Sequence, residues 1–130
     1  MTGADSITNG FANTNVLATS AGQYPAAQAC LNKSDQGFTD WYLPAICELG
    51  RFVIGLDAGC GTTNPNLYST LHTNNLGGFS PDQYWSSTEF STIIIPDELA
   101  WVQFFTDGRQ TPGNKNLADE RVRCVRAFIP

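Results

Sequence analysis

The sequence has little charge and almost no histidine. Only 15% of its 130 residues are Asp, Glu, Lys or Arg, and His72 is the sole histidine. Seven basic against twelve acidic residues give a net charge of −5, which argues against general nucleic-acid binding because neutralising phosphates needs a basic excess. His72 lies in a polar stretch with no recognisable nucleophile motif beside it, so no catalytic centre is expected and the chain reads as a non-enzyme. There is no run of about 18 apolar residues, so no membrane insertion is expected. The start, Met1-Thr2-Gly3-Ala4-Asp5, has neither the basic nor the apolar region of a signal peptide. No C-x-x-C pair, no Gly-X-Y repeat and no internal repeat occurs.

What is present describes one folded, loop-rich domain: 42% hydrophobic residues with 12 Gly and 7 Pro. Cys30, Cys47, Cys60 and Cys124 are even in number and have one histidine between them for a zinc site, so disulfides in an oxidising compartment are the better reading. Of the three pairings, Cys30–Cys124 with Cys47–Cys60 is favoured. In the chain-entropy account the long loop is worth about 5 kcal/mol and the short one about 3. Free buried thiols in a cytosolic protein are the alternative.

Residues 1–20 read as an N-terminal strand or hairpin leading into the same domain, which spans 21–130. Alanines around Tyr24–Leu31 favour a helix, with Pro25 in its first turn and Cys30 pointing inward. Asp40-Trp41-Tyr42-Leu43-Pro44 is extended, because the residue before proline avoids the helical region. A second helix is expected from Pro44 to about Ile54, with Ile46, Leu49, Phe52 and Val53 inward and Glu48 and Arg51 exposed. From Asp57 to Asp82 a long irregular loop has Leu67, Tyr68, Leu71 and Leu76 as its anchors. Strands follow over Tyr84–Thr88, Leu99–Phe105 and Arg121–Phe128, the second closed by the turn Thr106-Asp107-Gly108-Arg109. In the last strand, alternation puts Arg121 and Arg123 on one face and Val122 and Cys124 on the other. Helices first and a strand meander last make the fold α+β.

Five of the seven basic residues, Arg109, Lys115, Arg121, Arg123 and Arg126, lie near the C-terminal end, which allows a basic face on an acidic molecule. Pairing with Asp119 and Glu120 is the plainer alternative. Trp41, Trp85 and Trp101 could stack on sugar rings, but a packing role is the stronger reading. Asp97-Glu98 reads as a solvated pair of carboxylates.

Gly37-Phe38-Thr39-Asp40-Trp41-Tyr42-Leu43-Pro44 followed by Glu48-Leu49, then Tyr84-Trp85-Ser86-Ser87-Thr88, Ala100-Trp101-Val102-Gln103-Phe104 and the closing Val122-Arg123-Cys124-Val125-Arg126, resembles the bacterial DUF1566, or Lcl C-terminal domain, family. The resemblance spans roughly residues 24–128. It implies a C-type-lectin-like architecture with two helices, a short mixed or antiparallel sheet, a long irregular loop region and a first-to-last disulfide. It also implies an extracellular or cell-surface adhesin domain, homotrimeric on a collagen-like stalk, that binds sulfated glycosaminoglycans. No cofactor is expected; a divalent cation, held by carboxylates near a trimer axis, is left open. Where the family has Trp-Arg-Leu-Pro-Thr this chain has Trp41-Tyr42-Leu43-Pro44-Ala45. Ser80-Pro81-Asp82 and Ile95-Pro96-Asp97 only echo the calcium-lectin loop, so calcium-bridged sugar binding is not expected. Sulfate is permanently anionic and suits guanidinium, so Arg121 and Arg123, two apart on an exposed strand, are the expected contacts, extended by Lys115, Arg109 and Arg126.

Overall fold

A computed structural model describes residues 3–19, 24–90, 99–115 and 120–127. The fold is α+β. Among the described residues four helices, α1 (Gly10–Thr19), α2 (Pro25–Leu31) and the single turns α3 (Ile46–Leu49) and α4 (Leu67–Thr70), precede three strands, β1 (Gln83–Phe90), β2 (Leu99–Phe104) and β3 (Gln110–Asn114). The strands form one antiparallel sheet in the order β1-β2-β3. No described helix is long and apolar enough to cross a membrane.

The first twenty residues, expected as a strand or hairpin, carry α1 instead. Its start is capped by polar groups: Asn9 Oδ1 accepts from the Ala12 amide at 3.0 Å, and Glu48 Oε1 accepts from the Gly10 amide at 2.8 Å. Its inner face is held by hydrogen bonds as much as by apolar contact. The buried Thr14 hydroxyl accepts from the Leu43 amide at 3.0 Å and donates to the Gly10 carbonyl at 2.7 Å. Asn13, also buried, exchanges hydrogen bonds with the Ser6 backbone. Asn and Thr have little intrinsic helix preference, so the tertiary partners decide the conformation.

Helix α2 begins with Pro25 in its first turn and buries Ala26, Ala27 and Cys30, as its sequence implied. With Leu17, Tyr24, Leu43, Trp85, Ala100 and Val102 these residues make the main core. The other side of the sheet is covered too. Ile46 and Cys47 pack on Trp101, and Leu49 packs with Tyr84 and Phe105, joined by Leu67, Tyr68 and Phe79.

The helix expected to reach Ile54 stops at Leu49. A Cβ at Gly50 would lie 2.0 Å from Gln103 Oε1, so only glycine fits where the helix ends against Gln103. Gln103 in turn accepts from Gln110 Nε2 at 2.8 Å inside the sheet. Val53, expected inward, therefore ends up exposed, as does Ile54. The stretch 57–82, expected as irregular, contains α4, capped by Asn66 Oδ1 accepting from the Ser69 amide at 2.8 Å, and a 3-10 turn at His72–Asn74. Its anchors are Leu67, Tyr68 and the unforeseen Phe79, whereas Leu76 is 55% exposed. Strand β3 was also unforeseen.

The segment expected as a strand over Arg121–Phe128 is not a ladder strand; Phe128 lies outside the described residues. It is an extended run fastened at three places. Arg121 bridges β1 beside Tyr84, Cys124 is bonded to Cys30 of α2, and Val125 exchanges two hydrogen bonds with Tyr42, at 2.8 and 2.9 Å. The Arg121 bridge, with Pro44 and Ala4 carbonyls accepting from Ser87 and Glu89, covers the outer edge of β1. The second disulfide joins Cys47 to Cys60, and no cysteine is free.

The two disulfides close loops of very different length, 94 and 13 residues of separation. Denaturant unfolding is expected to show Cys30→Ala/Cys124→Ala losing about 5 kcal/mol and Cys47→Ala/Cys60→Ala about 3. Equal losses, or a larger loss for the short loop, would contradict this assignment of what the long staple does.

Candidate functional site

The fastened C-terminal segment decides where its arginines go. Arg121 and Arg123 both lean onto the loop Gly77–Asp82. Arg121 Nε donates to Asp82 Oδ2 at 2.7 Å in an exposed ion pair. Arg123 instead donates to the carbonyls of Gly77, at 2.6 Å, and Gly78, at 3.4 Å. Its guanidinium carbon sits 4.2 Å from the centroid of Phe79, a ring that is itself stacked on buried Phe105 at 4.8 Å. Carbonyls and an aromatic face orient a guanidinium without cancelling its charge as a carboxylate does.

Arg126 turns to a different partner. Its Nε and Nη2 donate to the two oxygens of Asp40 at 2.7 and 3.0 Å, and its guanidinium carbon lies 3.6 Å from the centroid of Phe38. This two-pronged bond holds the Asp40 carboxyl below its usual value. Arg109 belongs to another surface element, the turn between β2 and β3, where its partner is Asp107 at 3.5 Å. Lys115, expected to extend the basic face, is a correction: it is 4% exposed and ion-paired with Glu89, which is itself buried. Glu89 Oε1 also accepts from the Ala4 amide at 3.2 Å. An ammonium buried against its own carboxylate does not face a surface ligand.

The surroundings of Arg121 and Arg123 differ in sign. A polar hollow of about 390 Å3 beside Arg121 is lined by Asp82, Gln83 and Glu120, so two carboxylates outnumber its one guanidinium. Arg123 has no carboxylate partner among the described residues. Asp119, expected as a pairing partner for the arginines, lies outside the described residues, as do Ile95-Pro96-Asp97 and Asp97-Glu98. Among the described residues no three His, Cys, Asp or Glu side chains come together in a way that could hold a metal ion.

Other sequence candidates fall into structural roles. Trp85 and Trp101 are buried, while Trp41 is half-buried, donates from Nε1 to the Phe38 carbonyl at 3.1 Å and carries Lys33 over its ring. His72 is less solvated than its polar neighbours suggest, lying against Tyr68, Phe79 and Phe105. Glu48, expected on the surface, is half-buried: Oε1 accepts from the Gly10 and Ala45 amides at 2.8 and 2.9 Å, and Oε2 accepts from the Tyr42 hydroxyl at 3.4 Å. Burial, then the nearby Glu48 charge, pushes the Tyr42 hydroxyl up to about 12, so it stays protonated and able to donate. Sequence reasoning missed Asp40, Asp82, Phe38 and Phe79 as the groups that position the arginines. The Phe38 and Asp40 positions lie inside a quoted motif, but no local spacing ties them to Arg126.

A family model described as the Lcl C-terminal domain matches residues 6–126, so the chain belongs to the Lcl C-terminal domain family. No curated protein and no solved structure gives a significant match.

Two measurements test this geometry. Because Asp40 is lowered by its bond to Arg126, the stabilisation from that pair is in place above the ordinary carboxylate value of 3.8 and fades as pH falls through the lower, folded value. Carbon-detected NMR titration is expected to find Asp40 below 3.8 and to find it restored in Arg126→Ala; an unshifted Asp40 in the parent chain would refute the pairing. Removing one member of the buried pair, as in Lys115→Met, strands the Glu89 charge and is expected to cost about 3–5 kcal/mol. A loss below about 1 kcal/mol in denaturant melts would place Lys115 on the surface after all.

Proposed function

We propose that this member of the Lcl C-terminal domain family is a non-enzymatic, extracellular bacterial adhesin domain that holds sulfated glycosaminoglycans, its weak single contacts multiplied by assembly as a homotrimer. The supporting observation is Arg123: a guanidinium without a carboxylate partner among the described residues, oriented by Phe79 and two carbonyls on a segment fastened at three places. Arg121 and Arg126 flank it, two and three residues away. Extended chain rises about 3.3 Å per residue, so the Cα atoms of Arg121 and Arg123, whose side chains both lean on the Gly77–Asp82 loop, lie roughly 7 Å apart, a spacing suited to successive anionic groups, with Arg126 turned toward Asp40 on another side. Lys115 is left out of the contact set, and Arg109 acts only through a ligand long enough to reach the β2–β3 turn.

Asp82 and Asp40 enter this reading as competitors. Each holds the arginine a sulfate would take, so binding at Arg121 and Arg126 means exchanging a carboxylate for a sulfate. Arg123 makes no such exchange and serves as the first contact. Single exposed contacts are weak and salt-screened. Several copies of the same face on one trimer offset that weakness through effective concentration. The two disulfides support the oxidising location. The staple between early helix and C-terminal segment, together with the small antiparallel sheet, supports a C-type-lectin-like organisation.

The neutralised state of Arg121 and Arg126 favours a second reading, a trimerisation or stalk-capping module with no glycan contact. Affinity for immobilised heparin, measured against salt, separates the two. The adhesin reading expects binding that weakens as salt rises, falls about five-fold or more in Arg123→Ala, and strengthens up to about five-fold in Asp82→Asn and in Asp40→Asn. A chain that is trimeric by light scattering yet indifferent to heparin would support the capping module.

A further inference from the structure

Most of the exposed large apolar side chains among the described residues, Phe11, Phe38, Leu76 and Val122, stand apart from one another in the sequence. Val53, Ile54 and Leu56 do not: they are 38%, 43% and 50% exposed within four residues, next to half-buried Phe52. Single apolar side chains on a surface are ordinary, whereas a consecutive run marks a contact.

The run is held in place. The Cys47–Cys60 disulfide closes the segment that carries it, the Phe52 amide donates to the Gly61 carbonyl at 2.8 Å, and Gly55 bridges β3 at Gln110. A Cβ at Gly108 would come within 2.8 Å of Val53 Cγ2, and one at Gly55 within 2.9 Å of Arg109 Cγ, so the run packs directly on the β2–β3 turn. Ile54 and Leu56 therefore meet water from a fixed support.

Strand register gives the position of the run relative to the arginines. Gly55 pairs with Gln110, Gln110 with Gln103, Gln103 with Tyr84 and Tyr84 with Arg121, one row across the sheet. Four steps of about 4.8 Å put the run roughly 19 Å from the C-terminal segment, at the opposite edge. Copies joined at the Gly55 edge keep their arginine segments clear of the contact, as multiplied binding requires.

The rim selects the occupant. Arg51 and Asp57 flank the run in sequence, and Asp107 and Arg109 border it from the β2–β3 turn. Two charges of each sign give no net attraction to an anionic polymer or an anionic lipid surface, but they let identical rims pair cation with anion around an aliphatic centre. A stable contact covers roughly 800 Å2 on each partner, more than one loop supplies, so the turn belongs to it as well.

We infer that the run 53–56, with the turn 107–109, is the surface by which copies of this chain join. The inference rests on the proposed function for assembly itself and adds to it the surface and its residues.

The test is size exclusion with light scattering over a dilution series of the intact, oxidised chain. The parent is expected at three times the 14.1 kDa chain mass. Ile54→Glu/Leu56→Glu is expected at the single-chain mass with its amide spectrum still dispersed, and Ile54→Asn/Leu56→Asn serves if the charged variant does not fold. Leu76→Glu, at an exposed apolar site elsewhere, is expected to keep the parent mass. Mass is read without any glycan, so failure of the glycan contact leaves this test intact. A dimer that the loop variants dissociate supports the inference and corrects only the number of copies. An assembled parent that withstands the loop variants, or that Leu76→Glu dissociates as fully, overturns the inference and leaves the homotrimer standing. A parent that is monomeric throughout overturns both, and loop-dependent sedimentation of that monomer with phosphatidylcholine–phosphatidylglycerol vesicles would give the run to a lipid surface instead.

Discussion

The covalent and hydrogen-bonded fastening of the C-terminal segment is the constraint on which the surface depends. Within five residues the chain is tied to β1 at Arg121, to α2 through Cys124 and to the extended segment at Tyr42 through Val125. A free tail carrying three arginines would sample many orientations and lose that freedom on meeting a ligand. Here the ordering is already part of folding. The segment also covers the open edge of β1, so the element that displays charge is the one that protects the sheet.

A second theme is the use of buried polar side chains where a larger domain would use apolar ones. Thr14 and Asn13 dock α1, Gln103 and Gln110 fill the junction between Gly50 and β3, and Glu48 supplies acceptors to two backbone amides from separate segments. The buried ion pair of Glu89 and Lys115 does the same between β1 and the end of β3. Such groups hold position well when paired and are costly when one partner is lost. They give a small, loop-rich chain a defined arrangement without a large core.

This polarity also explains what could and could not be read from the sequence. Helix α2, β1 and β2 were legible because each rests on a local signal, an alanine run after proline or a run of aromatic and β-branched residues, while the disulfide pairing was one choice among three ways to join four cysteines. Helix α1 was not, since its buried face includes Asn13 and Thr14 and therefore shows no apolar stripe. Strand β3 carries Pro112 and Gly113, residues that read against a strand and are tolerated on a sheet edge. At the candidate site the arginines themselves were legible, but their fates were not. Arg126 meets Asp40 across 86 residues, Arg121 meets Asp82 across 39 and Lys115 meets Glu89 across 26. No local spacing encodes such pairs. The expected basic face thus separates into one buried lysine, three carboxylate-held arginines (Arg109, Arg121 and Arg126) and Arg123, held by an aromatic ring and carbonyls.

That division of labour gives the account its central claim: the fastened segment presents Arg123 to an anionic polymer, with Arg121 and Arg126 recruited only as their aspartates are displaced. The most direct measurement follows the side-chain Nε–Hε signals of the arginines by NMR while a sulfated tetrasaccharide is added to the oxidised chain. The account predicts that the Arg123 signal moves first and saturates, with Arg121 and Arg126 following at higher occupancy and Arg109 unmoved. Binding with the Arg123 signal fixed in place, or a response confined to Arg109, would contradict it.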